Sequence, residues 1–525
     1  MSQGRKARIA LALLSLPVVM PLLWLAAAWW QPAPGWQHLR QFVLPAALRD
    51  TGLLLLGVSL VTALLGTSLA WLTARYEFPG RRSFEWLLLL PLAMPTFVVA
   101  FIWVGLAEYS AFPSSYWRAW FGEAARLPEL RGVAGGVWIF GLSLYPYVYL
   151  LARQSFAEQG DSLTASAKLL GLSALQRAWR LHLPMARPAI VLGLSLALME
   201  TLADFGAAAL LGLDTLTTTV YKAWYSLYSL ALAAQLASLG VLVVFLLLWL
   251  EQRSRNRLRF VVSGHAARCA LRGYQASVAT GFAATVVLLA FVVPALQLLR
   301  WASISGVAAG LAAPLKASLQ LALASALCVL LYGALVALAE RRRQRDLGLA
   351  NWALLSGLGY AVPGTVLGVG LLLVVAPLDK QLDAWQLGRF ALVGSVPLLL
   401  IAYVVRFARM GSGPFQARLL ALSPSVPEAA QTLGLAARQR FQRLYGPLLT
   451  PAAFTASLVV FVETLKELPA TLVLRPLGWD TLAVQIYSYT SEGLWQQAAL
   501  PALLLVAAGL LPVILLTRVS PSARS

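Results

Sequence analysis

Five charged residues lie inside two long apolar stretches of this 525-residue chain, and they are its strongest candidates for chemistry. They are Glu200 and Asp204 in the first stretch and Glu463, Lys466 and Glu467 in the second. A charge near the centre of a bilayer costs at least about 2.5–3.5 kcal/mol on insertion scales, so it is expected to face a bundle interior or water. Acids four residues apart share one face of an α-helix. The spacing predicts a polar lining for a translocation path. The alternative is that the carboxyl groups join helices by hydrogen bonds and that Lys466 pairs with Glu463.

The cysteines, histidines and lysines of the sequence do not form a recognisable metal-binding, phosphate-binding or catalytic site. Two cysteines, Cys269 and Cys328, exclude a disulfide framework and a thiolate metal cage, and the three histidines lie far apart. None of the six lysines follows Gly or precedes Ser or Thr, so the chain has no phosphate-binding loop. No Ser/His/Asp or Cys/His arrangement stands out. We therefore expect that the chain is not an enzyme, that it has no firm metal site and that it binds no cofactor.

Composition identifies the elements that must position these charges. The chain is 59% hydrophobic and only 12% charged, with a mean hydropathy of +0.74. Soluble globular chains are roughly 45–50% apolar and about 25% charged. A membrane span needs about 20 apolar residues and must satisfy its own backbone, which favours α-helices. The expected fold is an all-α polytopic membrane protein with twelve transmembrane helices, over residues 9–30, 51–74, 86–107, 132–152, 189–212, 229–250, 278–299, 317–339, 351–376, 390–405, 452–474 and 495–517. The first window is too long for a signal peptide and is expected to be a retained helix.

Basic residues predict the orientation of these spans. The formal net charge is +20, from 41 Lys and Arg against 21 Asp and Glu. With the N-terminus in the cytoplasm, most basic residues fall on the cytoplasmic side, among them Arg75 and the runs 253–259 and 341–345, which is the positive-inside pattern. This pattern accounts for the net charge without nucleic acid. It also predicts that both termini of a multi-pass protein are cytoplasmic.

The chain contains an internal duplication. Residues 164–206 align without a gap on 427–469, and 15 of the 43 aligned positions are identical, including polar, Gly and Pro positions. We therefore expect two six-helix repeats, at 1–250 and 273–525, joined by a basic cytoplasmic linker at 251–272. Since six is even, both repeats enter the membrane in the same orientation, as parallel repeats do.

The repeated block begins in two long cytoplasmic loops, 153–188 and 406–451. Ser425 is expected to cap a short helix in the second loop, and Gly434 is expected to interrupt it. The residues that carry the pattern are Glu428, Ala429, Ala430, Gly434, Arg440 and Pro447 in the second loop, and Ala165, Ala167, Gly171, Arg177 and Pro184 in the first. The plain alternative is a pair of surface helices with solvated charged faces.

The loop pattern resembles the "EAA" loop of permease subunits in ATP-binding-cassette (ABC) importers. In that family the loop forms a coupling helix that docks on a cytoplasmic ATPase. The resemblance implies an ABC importer type I-like permease fold, a partner ATPase in two copies that holds ATP and Mg, a periplasmic substrate-binding protein, and a place in the bacterial inner membrane. The first loop has Ala165 where the second has Glu428, which predicts unequal contributions of the two loops.

The cargo is suggested by two stretches. The first stretch, residues 200–206 followed by Tyr221 to Trp224, resembles the first half of ferric-iron importer permeases. The second stretch, Lys466 to Pro476 continuing to Asp480, resembles their second half. The resemblance implies Fe(III) as the cargo, and carboxylates suit a hard cation. Thiamine, polyamine or other small-solute importers remain alternatives, and so does an ion-coupled secondary transporter built from parallel repeats.

Overall fold

A computed structural model gives the architecture of the chain. The structure describes residues 2–109, 111–123, 125–255, 268–306, 310–341, 358–384, 391–423, 425–434 and 436–519. Most of the expected linker 251–272, the basic run after Arg341 and the start of the expected span 351–376 lie outside the described residues.

Helices dominate the described residues. Those of the first repeat are Ser2–Ala27, Trp36–His38, Leu44–Arg75, Arg81–Leu87, Thr96–Ala107, Phe112–Phe121, Val133–Ala157, Asp161–Leu169, Ala174–Arg177, Leu183–Ala203, Gly206–Leu210, Leu216–Tyr225 and Leu230–Arg255. Those of the second are Tyr274–Val287, Val293–Ser305, Ala312–Arg341, Gly364–Ala384, Val396–Ala421, Ser425–Thr432, Ala437–Arg440, Gly446–Lys466, Pro469–Leu474, Leu482–Ser491 and Trp495–Val519. Short 3₁₀ turns occupy Ala28–Trp30, Leu90–Ala93 and Leu358–Ala361. Two-residue strands, Tyr76–Glu77 and Cys269–Ala270, pair in parallel.

In the described part of the chain, four π-helical turns interrupt helices, and each has the same sequence cause. They cover Leu39–Val43, Ala178–His182, Leu288–Val292 and Phe441–Tyr445. The second residue of the helix that follows is in every case a proline: Pro45, Pro184, Pro294 or Pro447. A proline has no N–H, and its ring clashes with the carbonyl four residues earlier, so the turn before it widens.

The prediction of an all-α polytopic membrane protein is confirmed. Among the described residues, eleven helices are long and apolar enough to cross a membrane, or up to twelve if one bent pair forms a single span. That pair, Arg81–Ala93 and Thr96–Ala107, covers the expected third span and bends by 89°. Pro91 and Pro95 flank the bend and lack the N–H groups that would continue the helix.

Several expected spans have different bounds in the structure, and three of them differ for a reason that the sequence explains. The windows 189–212 and 452–474 are each broken, because the long helices end at Ala203 and Lys466 and a short helix follows. The window 390–405 is too short, because the helix Val396–Ala421 continues for four more turns into what was expected to be loop 406–451. Its polar continuation is hidden from a hydropathy window but keeps the backbone hydrogen bonds of the helix.

The chain forms two compact units, and each draws on both sequence repeats. One unit contains residues 1–35, 220–241 and 310–485, and the other contains 36–219, 242–309 and 486–525.

Each unit has a three-helix core built from the same positions of a repeat. In the second unit the helices Leu44–Arg75, Val133–Ala157 and Leu183–Ala203 pack closely, and Gly66 and Gly193 both lie against Val148. In the first unit the corresponding helices are Ala312–Arg341, Val396–Ala421 and Gly446–Lys466. A Cβ at Gly333 would come within 2.5 Å of the Gly411 backbone, so glycine permits the close approach there.

Candidate functional site

The first loop carries a short helix that is followed by a glycine. The helix Asp161–Leu169 is followed two residues later by Gly171, whose φ is +74°, in the left-handed region that glycine adopts without strain. The N–H groups of Gly171 and Leu172 donate to the carbonyls of Lys168 and Ala167, which satisfies the last turn. The tip is apolar, since Leu169 is 89% exposed and Leu170 nearly as exposed.

The second loop repeats this geometry. The helix Ser425–Thr432 is followed by Gly434 with a φ of +73°, and Leu433 beside it is exposed. The capping prediction required Ser425 to be the residue before this helix, but Ser425 is its first residue. Glu428 lies within the helix, and its side chain is outside the described part of the structure.

The residues shared by the two loops occupy matched places. Ala167 and its equivalent Ala430 are buried, whereas Ser166 and its equivalent Ala429 are exposed, as is Ala165. Arg177 and Arg440 end short helices that lead into the π-helical turns before Pro184 and Pro447. Each short helix is capped by a glutamine side chain: the Oε1 atoms of Gln176 and Gln439 accept from the N–H groups of Ser173 and Ala436, at 3.0 Å in both cases.

A buried polar cluster fastens the first loop to the helix Leu44–Arg75. The Arg75 guanidinium donates to the Gln159 carbonyl at 3.2 Å and to the Thr164 hydroxyl at 2.9 Å, and it lies 3.1 Å from a ring nitrogen of His182. The other ring nitrogen of His182 lies 2.8 Å from Gln159 Oε1, and the imidazole packs on the Trp71 ring at 5.0 Å. Arg75, Gln159 and His182 are all buried. The cluster holds both ends of the loop against one transmembrane helix.

The two acids of each charged stretch do not share a helix face. Asp204 and Glu467 lie just beyond the ends of their helices with extended backbone, because the helices end at Ala203 and Lys466. Each acid accepts a hydrogen bond from the N–H three residues later: Ala207 donates to Asp204 at 2.8 Å, and Ala470 donates to Glu467 at 3.1 Å. Such a bond satisfies the first N–H groups of the next helix. These acids therefore fix a break in the span at equivalent places of the two repeats.

Glu467 is held by protein groups on both of its carboxylate oxygens. Oε1 accepts from the Ala470 N–H, and Oε2 accepts from the Thr471 N–H at 3.0 Å and from the Thr471 hydroxyl at 2.8 Å. Arg406 Nε lies 3.6 Å from Oε1, and the Glu467 side chain is only 1% exposed. Gly364 packs so closely that a Cβ there would lie 2.7 Å from Oε1. This geometry favours the helix-joining alternative for Glu467.

Glu463 and Glu200 have more open surroundings. Lys466 Nζ lies 3.6 Å from Glu463 Oε1, which is the predicted pair three residues apart, and the Glu463 side chain is 37% exposed. Glu200 is half-buried on the last turn of the helix Leu183–Ala203. A lining role for these two acids stays a prediction. Among the described residues, no group of three or more His, Cys, Asp and Glu could hold a metal ion.

Sequence reasoning missed Arg406, Arg75 and His182 as positioning residues. Arg406 was expected in a cytoplasmic loop but lies inside the helix Val396–Ala421, paired with Glu467. An arginine that directly follows an apolar window is the available signal, since Arg75 and Arg406 both stand at such an edge. Nothing in the sequence reveals that His182 meets Arg75.

The comparisons with known proteins agree with this architecture. Residues 62–256 match the family of binding-protein-dependent transport system inner membrane components. The chain is similar to the Fe(3+)-transport system permease protein FbpB 2 of Haemophilus influenzae, with 27% identity over 490 residues, which covers 90% of this chain and 89% of that protein.

Other relatives match a shorter part of the chain. The sulfate transport system permease protein CysT of Escherichia coli is 28% identical over 207 residues, which is 39% of this chain and 72% of that protein. The molybdenum transport system permease protein ModB of Haemophilus influenzae is 27% identical over 204 residues, which is 37% of this chain and 87% of that protein. All three relatives are transport permeases.

Proposed function

We propose that this chain, which belongs to the binding-protein-dependent transport system inner membrane components, moves ferric iron into the cytoplasm as the permease of an ATP-driven importer. The chain is a multi-pass inner membrane permease of the ABC importer class. The observation that carries the choice of iron is the extent of similarity: the Fe(3+) permease matches 90% of the chain, whereas the sulfate and molybdenum permeases match less than 40%.

The two loops are the proposed contacts with the ATPase. Each presents a short helix, a left-handed glycine and an exposed leucine tip, which together form a compact apolar contact. Two matched loops suit two copies of one ATPase, which would hold ATP and Mg. The Arg75 cluster connects the first of them to the helix Leu44–Arg75, so a displacement of that loop would reach the transmembrane core. A periplasmic binding protein would deliver the cargo from the opposite side, with both termini of the chain in the cytoplasm.

Glu200 and Glu463 are the proposed cation-facing acids of the path. They hold equivalent positions in the repeats, and both are more exposed than the buried Glu467. Carboxylates attract a trivalent cation and would repel sulfate or molybdate, since charges interact strongly where water is scarce. The second candidate is a small cationic solute such as thiamine or a polyamine, which the same acids would attract.

Transport in vesicles tests the cargo. The permease, its ATPase and candidate binding proteins are reconstituted, and ATP-dependent uptake of radiolabelled ferric iron is compared with uptake of thiamine and sulfate. Uptake of iron alone supports the proposal. ATP-dependent uptake of another solute without iron would leave the importer class intact and refute the cargo, and uptake driven by an ion gradient without ATP would refute the importer mechanism.

Amide substitution tests the path. Glu200→Gln and Glu463→Gln keep the size of each side chain but remove the negative charge, so we expect a steep loss of initial uptake in complexes that still assemble and bind ATP. Glu492→Gln, at an exposed turn before the last helix, is the matched control and should keep the wild-type rate. Wild-type uptake in both path variants would contradict the lining role.

A further inference from the structure

The helix Phe112–Phe121, in the segment between the third and fourth expected spans, turns Ser114 and Arg118 inward and its aromatic side outward. Each residue of an α-helix advances by about 100° around the axis. Half of the circumference is aromatic: Phe112, Tyr116, Trp117, Trp120 and Phe121. The other half carries Ser114, Ser115, Arg118 and Ala119.

Part of the polar half packs on the protein, whereas Ser115 and Ala119 are exposed. Ser114 is buried, and its hydroxyl donates to the Ala107 carbonyl at 3.3 Å. Arg118 donates to the Tyr109 carbonyl at 2.7 Å, and its guanidinium lies 3.6 Å from the centre of the Tyr109 ring. These bonds tie the helix to the end of the helix Thr96–Ala107.

The aromatic half is largely exposed among the described residues. Its five side chains are between 41% and 81% exposed, with Trp120 the most exposed. Burying one such side chain is worth about 1.5–3 kcal/mol, so an aqueous exterior would favour the opposite rotation of the helix. The observed rotation requires a surrounding medium that accepts apolar rings.

The aromatic surface continues an exposed apolar surface of a candidate membrane span. Arg300 lies on the helix Val293–Ser305, part of a candidate membrane span, and its guanidinium lies 4.6 Å from the centre of the Phe112 ring. Leu296 and Leu299 on the same helix are more than half exposed, as expected of side chains that contact acyl chains. An arginine at this level can reach lipid phosphates.

We propose that the helix Phe112–Phe121 lies in the plane of the membrane interface and inserts its aromatic half among the lipid headgroups and upper acyl chains. Tryptophan and tyrosine favour that depth, and interfacial helices bury their apolar face about 5–10 Å into the headgroup boundary. The helix would anchor the outer end of the bent span to the bilayer. This assignment does not depend on the cargo.

Depth-dependent fluorescence quenching tests the proposal on the full chain. Both native cysteines are replaced by serine, and Trp120→Cys is labelled with an environment-sensitive fluorophore in phosphatidylethanolamine/phosphatidylglycerol nanodiscs. Ser115→Cys, on the opposite half of the same helix, is the matched control, and Trp117→Cys is a second probe of the aromatic half. Lipids with a spin label near the headgroup or deep in the acyl chain are compared with aqueous iodide.

We expect the shallow spin label to quench positions 120 and 117 several-fold more than position 115, and iodide to show the reverse order. The deep spin label should quench all three weakly. Equal iodide quenching at 115 and 120 would overturn the proposal. It would also be overturned if positions 117 and 120 were open to iodide in nanodiscs and became protected only when a periplasmic binding protein was added, because the surface would then bind a protein.

Discussion

Replacing Glu467 by glutamine tests whether this acid joins helices or lines the translocation path. Each carboxylate oxygen receives donors: Oε1 faces the Ala470 N–H and Arg406, and Oε2 faces the N–H and hydroxyl of Thr471. Glutamine keeps one oxygen and turns an amide NH₂ toward the other donors. Whichever way the amide is oriented, one backbone N–H loses its acceptor, and Arg406 loses its counter-charge.

The expected loss is large. Removing one partner of a buried ion pair costs about 3–5 kcal/mol, because the other charge stays buried. The same change at Glu463 should cost less, because the Glu463 side chain is 37% exposed in its pair with Lys466 and, among the described residues, receives no set of backbone donors like that of Glu467. Glu467→Gln should therefore lower the apparent Tm of the purified permease clearly, and Glu463→Gln should lower it less.

The assay is thermal unfolding in nanodiscs at one fixed scan rate, since membrane proteins unfold irreversibly and Tm depends on the rate. The double variant Arg406→Met with Glu467→Gln should recover part of the loss, because it leaves no unpaired buried charge. An unchanged Tm in Glu467→Gln together with lost uptake would refute the reasoning and restore Glu467 to the path.

Gly364 gives an independent test of the same contact. A Cβ at this position would meet Glu467 Oε1 at 2.7 Å and the Ala470 nitrogen at 3.0 Å, so Gly364→Ala must displace the carboxylate or the backbone. We expect a lower Tm. The control is Gly413→Ala, where nothing lies within 4 Å and the better helix propensity of alanine, about 1 kcal/mol, should preserve or raise the Tm.

Two further predictions concern coupling to ATP hydrolysis. Gly434→Val and Gly171→Val each force a β-branched residue to a φ above +70°, at a cost of roughly 1–2 kcal/mol. We expect Gly434→Val, in the second loop, to lose more transport per ATP hydrolysed than Gly171→Val, because only the second loop has the glutamate of the pattern. Equal defects would contradict the asymmetry. Arg75→Lys removes the guanidinium, whose several N–H donors bind the first loop, so transport per ATP should fall while ATP binding persists. Arg82→Lys, at an exposed position, is the control and should behave as wild type.

The sequence predicted features that depend on local chemistry. Gly171 and Gly434 take the left-handed conformation at the places where the repeat predicted an interruption, and the apolar windows identify the spans, since both follow from one residue type or one composition. The early ends at Ala203 and Lys466 were not predictable in this way. They depend on Asp204 and Glu467 folding back onto the next turn, and hydropathy does not distinguish a capping acid from an acid that points into a path.

Arg406 shows the same limit for a partner that is distant in sequence. A window method ends the span at this arginine, because it counts a charge as a cost. In the folded chain the charge meets Glu467, 61 residues away, and the helix continues past it to Ala421. The pairing offsets the cost of the charge only once both helices are in place, so no local sequence pattern reveals the pair.

The composition of the two compact units governs the order in which this chain can mature during synthesis. The ribosome releases residues 36–219 early, yet their unit also needs 242–309 and is completed only by 486–525. The opening segment, residues 1–35, must in turn wait for 310–485. Neither sequence half therefore contains a whole compact unit, and one unit is complete only once residues 486–525 have been made. A stop codon shortly before the helix Trp495–Val519 would leave the earlier-synthesised half without one of its own packing surfaces.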